Sequence, residues 1–213
     1  MARIFSNKKE LIESVVGKED VVLDVGFWGQ GVRIHDDNWV HNILVRQAKS
    51  VYGIDLEYDE KAFSGTGKHK KASAESFSFD VGFDVIFAGD IIEHLSNPGL
   101  FLESSLRSLK ESGRLVITTP NCFNFFHLTE KIMKPEPTVN SDHTCYFNRK
   151  TIKRLLEKNG WEVKSMDFLY SLDVKYRESW KKKILNIAYA LLSRMTPKFC
   201  VDIVVVAERR RKI

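Results

Sequence analysis

The stretch Val21-Val22-Leu23-Asp24-Val25-Gly26-Phe27-Trp28-Gly29-Gln30-Gly31 decides the fold. Its first half is an apolar run of the kind that forms a strand buried on both faces of a parallel sheet. Its second half carries three glycines within six residues. Glycine permits a sharp turn and lets a ligand approach the backbone without meeting a Cβ. A buried strand that runs into such a turn predicts a nucleotide site, because ligands of open α/β sheets sit at the carboxyl ends of the strands. The glycine order is G-x-x-G-x-G, not the G-x-G-x-x-G of dinucleotide sites, and no G-x-x-x-x-G-K-[ST] is present.

Around this stretch, apolar runs and helical patterns alternate. Ser6 to Val16 reads as an amphipathic helix capped by Ser6 or Asn7, ahead of the first strand as a lid or a sheet cover. Trp39, Val40, Ile43, Leu44 and Ala48 recur at helical spacing, with Asp36 or Asp37 as cap. His35 and His41 have no partner pattern and read as surface or packing residues. Val51 to Asp55 is a second strand. Lys61 to Lys71 is polar and reads as an exposed loop. Phe83 to Ala88 is a further strand. Asn97-Pro98 starts a helix that Gly113 is expected to close. Arg114 to Asn121 is the next strand. Asn148 caps a helix ending at Gly160, and Trp161–Met166 and Val201–Ala207 are the last strands. The order predicts a doubly wound, mainly parallel sheet.

Several of these segments resemble motifs of the class I S-adenosylmethionine-dependent methyltransferases. Asp24 to Gly31 is similar to the first motif, D-x-G-x-G-x-G, with one extra residue between the first two glycines. Val51-Tyr52-Gly53-Ile54-Asp55-Leu56-Glu57 resembles the second, and Lys71-Ala72-Ser73-Ala74-Glu75 resembles the third-strand ending, with Ser73 where the family has Asp. Phe83-Asp84-Val85-Ile86-Phe87-Ala88-Gly89-Asp90-Ile91-Ile92-Glu93-His94-Leu95-Ser96-Asn97-Pro98 is the most specific match, and Gly113 to Asn121 looks like the strand motif that follows. The resemblance implies a seven-stranded Rossmann-like sheet with helices on both faces and an antiparallel last strand. It also implies S-adenosylmethionine as cofactor, held by Asp24, Gly26, Phe27, Gly29, Gly31, Asp55, Leu56, Ser73, Ala74, Glu75, Gly89 and Asp90. Asp55 would bind the ribose diol, where an ionised acceptor is strongest.

Cys122 to Cys145 is aromatic-rich and proline-bounded, and reads as a wall of the substrate pocket. Transfer to oxygen needs a base. His143, assisted by Asp142, is the first choice and His94 the second. Packing of His94 against its loop stays open beside that role. A metal site from Asp142, His143 and Cys145 is set aside, since three neighbouring residues rarely wrap one ion.

At 213 residues the chain reads as one domain, 1–213, with an added helical segment at about 171–199 between the last two strands. Hydrophobic content of 43% against 29% charged excludes both a disordered and a membrane-embedded class. Three scattered cysteines and the lack of a signal-like N-terminus point to the cytoplasm. The net charge of +5 is a mild basic bias. Tyr176 to Phe199, with three lysines beside Trp180, reads either as an added helix or as a peripheral membrane contact. The expected acceptor is a small molecule, sugar or lipid-linked glycan. A nucleic-acid or protein methyltransferase is the alternative, as is a catalytically silent relative that only binds a partner. The absence of an N-P-P-Y or D-P-P-Y run argues against the usual amino-methylating nucleic-acid enzymes.

Overall fold

A computed structural model describes residues 2–28, 36–61, 68–170 and 180–211, with side chains of the last segment from Lys183 onward. The elements are β1 (Ile4–Phe5), α1 (Lys8–Val15), β2 (Val21–Val25), α2 (Val40–Gln47), β3 (Ser50–Asp55), β4 (His69–Lys71), β5 (Phe83–Gly89), α3 (Pro98–Ser108), β6 (Leu109–Pro120), α4 (Phe125–Met133), α5 (Arg149–Lys158), β7 (Trp161–Leu169), α6 (Trp180–Met195) and β8 (Asp202–Arg209). They build one eight-stranded sheet in the order β1-β7-β8-β6-β5-β2-β3-β4. Every pairing is parallel except those of β8, which runs antiparallel to both β6 and β7. The expected doubly wound architecture is present. The strand beyond the expected seven is β1, a two-residue addition at the β7 edge.

Strand alternation divides the core between the two faces. Val22, Val85, Phe87, Val116 and Val204 point to one face, where Leu11 and Ile12 of α1 and Ile43 and Leu44 of α2 cover them. Leu23, Ile86, Leu115, Ile117 and Val205 point to the other, beneath Phe101 and Leu102 of α3 and Ile152 and Leu156 of α5. A third, smaller cluster joins Phe125 and Phe126 of α4 to Tyr189 of α6, whose ring stacks on Tyr170 at 4.9 Å.

Three local expectations are corrected. α2 starts one residue after Trp39, with no side-chain cap from Asp36 or Asp37. The end of the polar 61–71 stretch is not loop: His69–Lys71 pairs with Gly53–Asp55 as the edge strand β4. α3 stops at Ser108, and Gly113 lies inside β6. A Cβ there would lie 2.7 Å from Leu109 Cγ and 2.8 Å from the Phe83 carbonyl, so the glycine serves close strand packing rather than a helix end. Of the two readings for His41, surface or packing, the structure bears out packing: the residue is 1% exposed.

Candidate active site

The strand order reverses between β2 and β5, which are paired but whose connections run to opposite sides. That reversal opens a crevice at their carboxyl ends. Gly26 leaves β2 there with φ of +76°, and Asp90 leaves β5 with φ of +55°. A Cβ on Gly26 would lie 2.1 Å from Ile91 Cδ1, so only glycine lets the two turns close on each other. Gly26 and Ile91 line two adjoining cavities, of about 140 and 220 Å³. The crevice is therefore one cleft in two compartments.

The larger compartment is bounded by Ile54, Asp55, Leu56, Ser73, Ala74, Glu75, Ile91 and His94. Asp55 ends β3, and its two oxygens accept from the backbone N–H of Glu57 (2.8 Å) and Trp28 (3.0 Å). A carboxylate offers about four acceptor directions, so two remain for a vicinal diol. Burial raises the Asp55 pKa despite those two bonds. Ser73 Oγ accepts from Glu75 N (3.1 Å), which leaves its own proton free to donate. Glu75 instead ties down the Asn97 backbone, at 2.8 Å.

The smaller compartment holds an ion pair. Lys8, from the first turn of α1, reaches Asp90 at 2.6 Å, and Thr118 Oγ1 donates to the other Asp90 oxygen at 2.8 Å. Burial pushes the Asp90 carboxyl up, but the Lys8 charge and the two hydrogen bonds outweigh it and hold the group below its ordinary value. Asp90 in turn raises the Lys8 ammonium. Both groups stay ionised, and each side chain remains about one-third exposed, at 33% and 32%. Asp24, Phe27, Trp28, Trp39 and Gly89 complete this compartment. Gly29 and Gly31 lie outside the described residues.

Asp24 is 3% exposed, and its Oδ2 lies 2.9 Å from His41 Nδ1. His41 Nε2 lies 3.0 Å from His69 Nε2. Burial, with the neighbouring His41 and Lys68, lowers the His69 pKa to about 4, so this ring is neutral at pH 7. The three residues form a column, buried at Asp24 and His41 and half-buried at His69, that braces Phe27, whose ring sits 4.9 Å from both imidazoles. Its members come from β2, α2 and β4, and no local pattern announces it.

His94 ends a short 3₁₀ turn after Asp90 and meets the His143 ring at 4.6 Å, edge to face. The ligating atoms of Glu93, His94 and His143 all lie within 4.8 Å of one another, the only such trio of His, Cys, Asp or Glu among the described residues. A cation would find its donors here. Glu93 is the residue that sequence reasoning missed. It is 2% exposed, and burial, with the charge of Asp90, pushes its pKa up to about 8. Thr119 Oγ1 donates to Oε2 at 3.0 Å, and Oε1 has no partner among the described residues. Burial, then the proximity of His94, lowers the His143 pKa, so its ring is neutral at pH 7. Asp142 does not hydrogen-bond to His143; its carboxylate accepts from Ser141 Oγ at 3.3 Å. Thr144, two residues on, donates to the Glu93 and Leu95 carbonyls and pins the His143 segment over the turn.

A doubly wound sheet with a bipartite cleft at its switch point defines a nucleotide-binding α/β protein. The family follows from a direct match: the family model described as "Methyltransferase domain" covers residues 19–166, and the chain belongs to the class I S-adenosylmethionine-dependent methyltransferase family. A methyltransferase from Archaeoglobus fulgidus superposes with a TM-score of 0.60 at 19% identity, over 94% of each chain. The 1,6-didemethyltoxoflavin-N1-methyltransferase of Burkholderia thailandensis, solved with S-adenosylhomocysteine, gives 0.60 at 15%, over 96% of this chain and 77% of its own. At those identities the likeness concerns the fold. Among curated proteins, the ubiquinone biosynthesis O-methyltransferase of Bartonella quintana is 25% identical over 121 residues, covering 53% of this chain and 47% of its own. The human mitochondrial enzyme of the same name is 28% identical over 120 residues, or 53% and 32%. The chain thus spans half or less of the length of these curated relatives.

Proposed function

We propose that the protein transfers a methyl group from S-adenosylmethionine to an oxygen of a small-molecule acceptor. The observation that supports this best is the pairing of charges with compartments. A nucleoside fits the larger compartment, with its ribose diol on the two open acceptor directions of Asp55 and its base beside Ser73, Ala74 and Glu75. A zwitterionic amino-acid end fits the smaller one, its ammonium on Asp90 and its carboxylate on Lys8. When bound, the cofactor supplies an electrophilic methyl on a cationic sulfur. The chain's own part is to orient the two reactants, exclude water and take up the acceptor's proton.

The proton falls to the cluster beside Asp90. A neutral imidazole accepts a proton, so His143 serves as base, with His94 beside it. Glu93, held protonated, leaves the neighbouring imidazoles without a competing carboxylate charge. Asp142 acts on His143 only through its field, since no hydrogen bond joins them. An oxygen acceptor is favoured by this ready base and by the matched part of the ubiquinone O-methyltransferases. A sugar or lipid-linked acceptor remains the finer proposal. A peripheral membrane contact through 176–199 is supported by α6, which turns Ile184, Ile187, Leu191 and Met195 outward. No described helix is long and apolar enough to cross a membrane.

Calorimetric titration with S-adenosylhomocysteine tests the reading. Micromolar affinity is expected for the wild type. Asp55→Ala should weaken it roughly a hundredfold, from about 3 kcal/mol of charge-assisted bonding to the diol. An unchanged affinity in that variant would remove Asp55 from the site. No binding at millimolar ligand would leave a methyltransferase-like fold that only binds a partner.

A further inference from the structure

A larger cavity lies away from the cleft. It measures about 890 Å³ and shares no lining residue with either compartment. Its walls are the first turns of α5, the stretch Val163–Met166 with Phe168 of β7, and the turn Pro197–Phe199 that follows α6. Val163, Met166 and Phe199 give it an apolar lining, and Phe123 stands at its wall 57% exposed, a large ring that the fold leaves in water.

Five cations surround this apolar space, and no acidic side chain is among its lining residues. Lys153 and Lys164 are engaged by carboxylates outside it, Glu157, Glu162 and Glu208. The Arg149 guanidinium stands over the Phe168 ring at 5.4 Å. Lys150 and Lys198 form no ion pair among the described residues, although ion pairs are common elsewhere on this surface. Apolar side chains continue beyond the cavity. Ile184, Ile187, Leu191 and Met195 make one exposed stripe along α6, ending one residue before Thr196 of the cavity wall.

We propose that this cavity binds a single anionic amphiphile, a hydrocarbon chain ending in a phosphate or carboxylate. The chain lies against Val163, Met166 and Phe199, and the anionic group is held by Lys150 and Lys198 beside Arg149. The volume is that of a site for a drug-sized ligand, and the lining joins half-buried apolar side chains (Val163, Met166, Phe199) to exposed cations (Arg149, Lys150, Lys198), the two chemistries an amphiphile requires. A free phosphate would leave the apolar side chains wet, and an uncharged hydrocarbon would leave the lysines unused. The site is independent of the methyl-transfer reading, because it uses none of the cleft residues.

The test is calorimetric titration of the whole protein, below micelle-forming concentrations, with octyl, decyl and dodecyl phosphate. Dodecanoate, dodecyltrimethylammonium, dodecyl maltoside and inorganic phosphate complete the set. Affinity should rise with chain length, by up to about fourfold per methylene. Dodecyl phosphate and dodecanoate should both bind, and their ratio tells which head group is preferred. The cationic and neutral amphiphiles and inorganic phosphate should bind at least tenfold more weakly. The double variant Lys150→Glu/Lys198→Glu should weaken dodecyl phosphate at least tenfold. Ser165→Trp, which fills the cavity, should block it. Both variants should bind S-adenosylhomocysteine as the wild type does, which also verifies that they fold. If Ser165→Trp does not fold, the lysine variant carries the test alone. Equal binding of all dodecyl compounds, binding only above the micelle threshold, or an unchanged affinity in the lysine variant would overturn the proposal. Loss of S-adenosylhomocysteine binding by the wild type would sink the methyl-transfer reading and leave this one standing.

Discussion

At the residue scale, the cleft depends on a few side chains that chain distance keeps out of any motif. Lys8 and Asp90 are separated by 82 positions, yet their contact fixes the charge pattern of the smaller compartment. Asp90 achieves it from a left-handed backbone conformation that a non-glycine residue adopts at a cost of about 1 kcal/mol or more, the kind of strain kept at functional sites. Lys8→Met keeps the length of the side chain and removes its charge. The partly exposed pair is screened, so the expected loss of cofactor affinity is about five- to tenfold, or about 1 kcal/mol, read by the same calorimetry. No change would show that Lys8 only neutralises Asp90. The base is tested differently. His143→Gln should lower kcat by about a hundredfold and leave S-adenosylhomocysteine affinity unchanged. In the wild type, the His143 pKa lies below its ordinary value. The rate should therefore hold through neutral pH and fall only as acid protonates the ring, with an apparent pKa below about 6.5. A rate that rises on acidification would exclude a neutral imidazole as the base.

At the scale of elements, capping and close packing position the site, and they differ in how far sequence reveals them. Asn148 accepts from the N–H groups of Lys150 and Thr151, while Thr151 Oγ1 accepts from Asn148 N, a reciprocal cap that starts α5. Asn148→Ala should cost about 1 kcal/mol in urea unfolding; a change within a few tenths would mean that water replaces the cap. This cap was legible, as were β2, β3, β5 and β6, because strands buried on both faces must be continuous apolar runs. β4 was not. An edge strand of His, Lys and Lys has no apolar pattern to read, and its charges are what an exposed edge favours. The α3–β6 junction was misread for a related reason. Glycine after a helical pattern signals a helix end, but Gly113 answers to Leu109 and Phe83, neighbours that only the folded sheet supplies. Among the candidate site residues, Asp55 and His94 were named from motif resemblance and His143 from the need for a base. Asp24 and Glu93 lie inside quoted motifs, but the buried acid at Glu93, the reach of Lys8 to Asp90 and the joining of Asp24 to His41 and His69 depend on contacts between elements, which no local pattern shows.

At the scale of the whole molecule, two desolvated titratable groups, buried Glu93 and half-buried His69, give folding stability an opposed dependence on pH. Glu93 has its folded pKa raised to about 8 from an ordinary 4.5, so the folded state keeps a proton that the unfolded chain releases. Its contribution is complete below about pH 4.5 and is lost as pH rises to about 8. His69 has its folded pKa lowered to about 4 from 6.5, so the unfolded chain takes up a proton that the folded state refuses. Its contribution is complete above about pH 6.5 and is lost as pH falls to about 4. Between about pH 4.5 and 6.5 the two slopes oppose each other. From pH 6.5 to 8 only Glu93 acts, and stability should decline by at most about 1.4 kcal/mol per pH unit. Glu93→Gln isolates this term. Its urea unfolding free energy, measured from pH 5 to pH 9 and compared with the wild type at each pH, should show no such decline above pH 6.5. Below that, the variant should gain stability with rising pH, because the lowered pKa values of His69, His127 and His143 then act without Glu93 against them. Parallel curves for the two proteins would mean that Glu93 is ionised when folded, and would remove the protonated acid from beside His94 and His143.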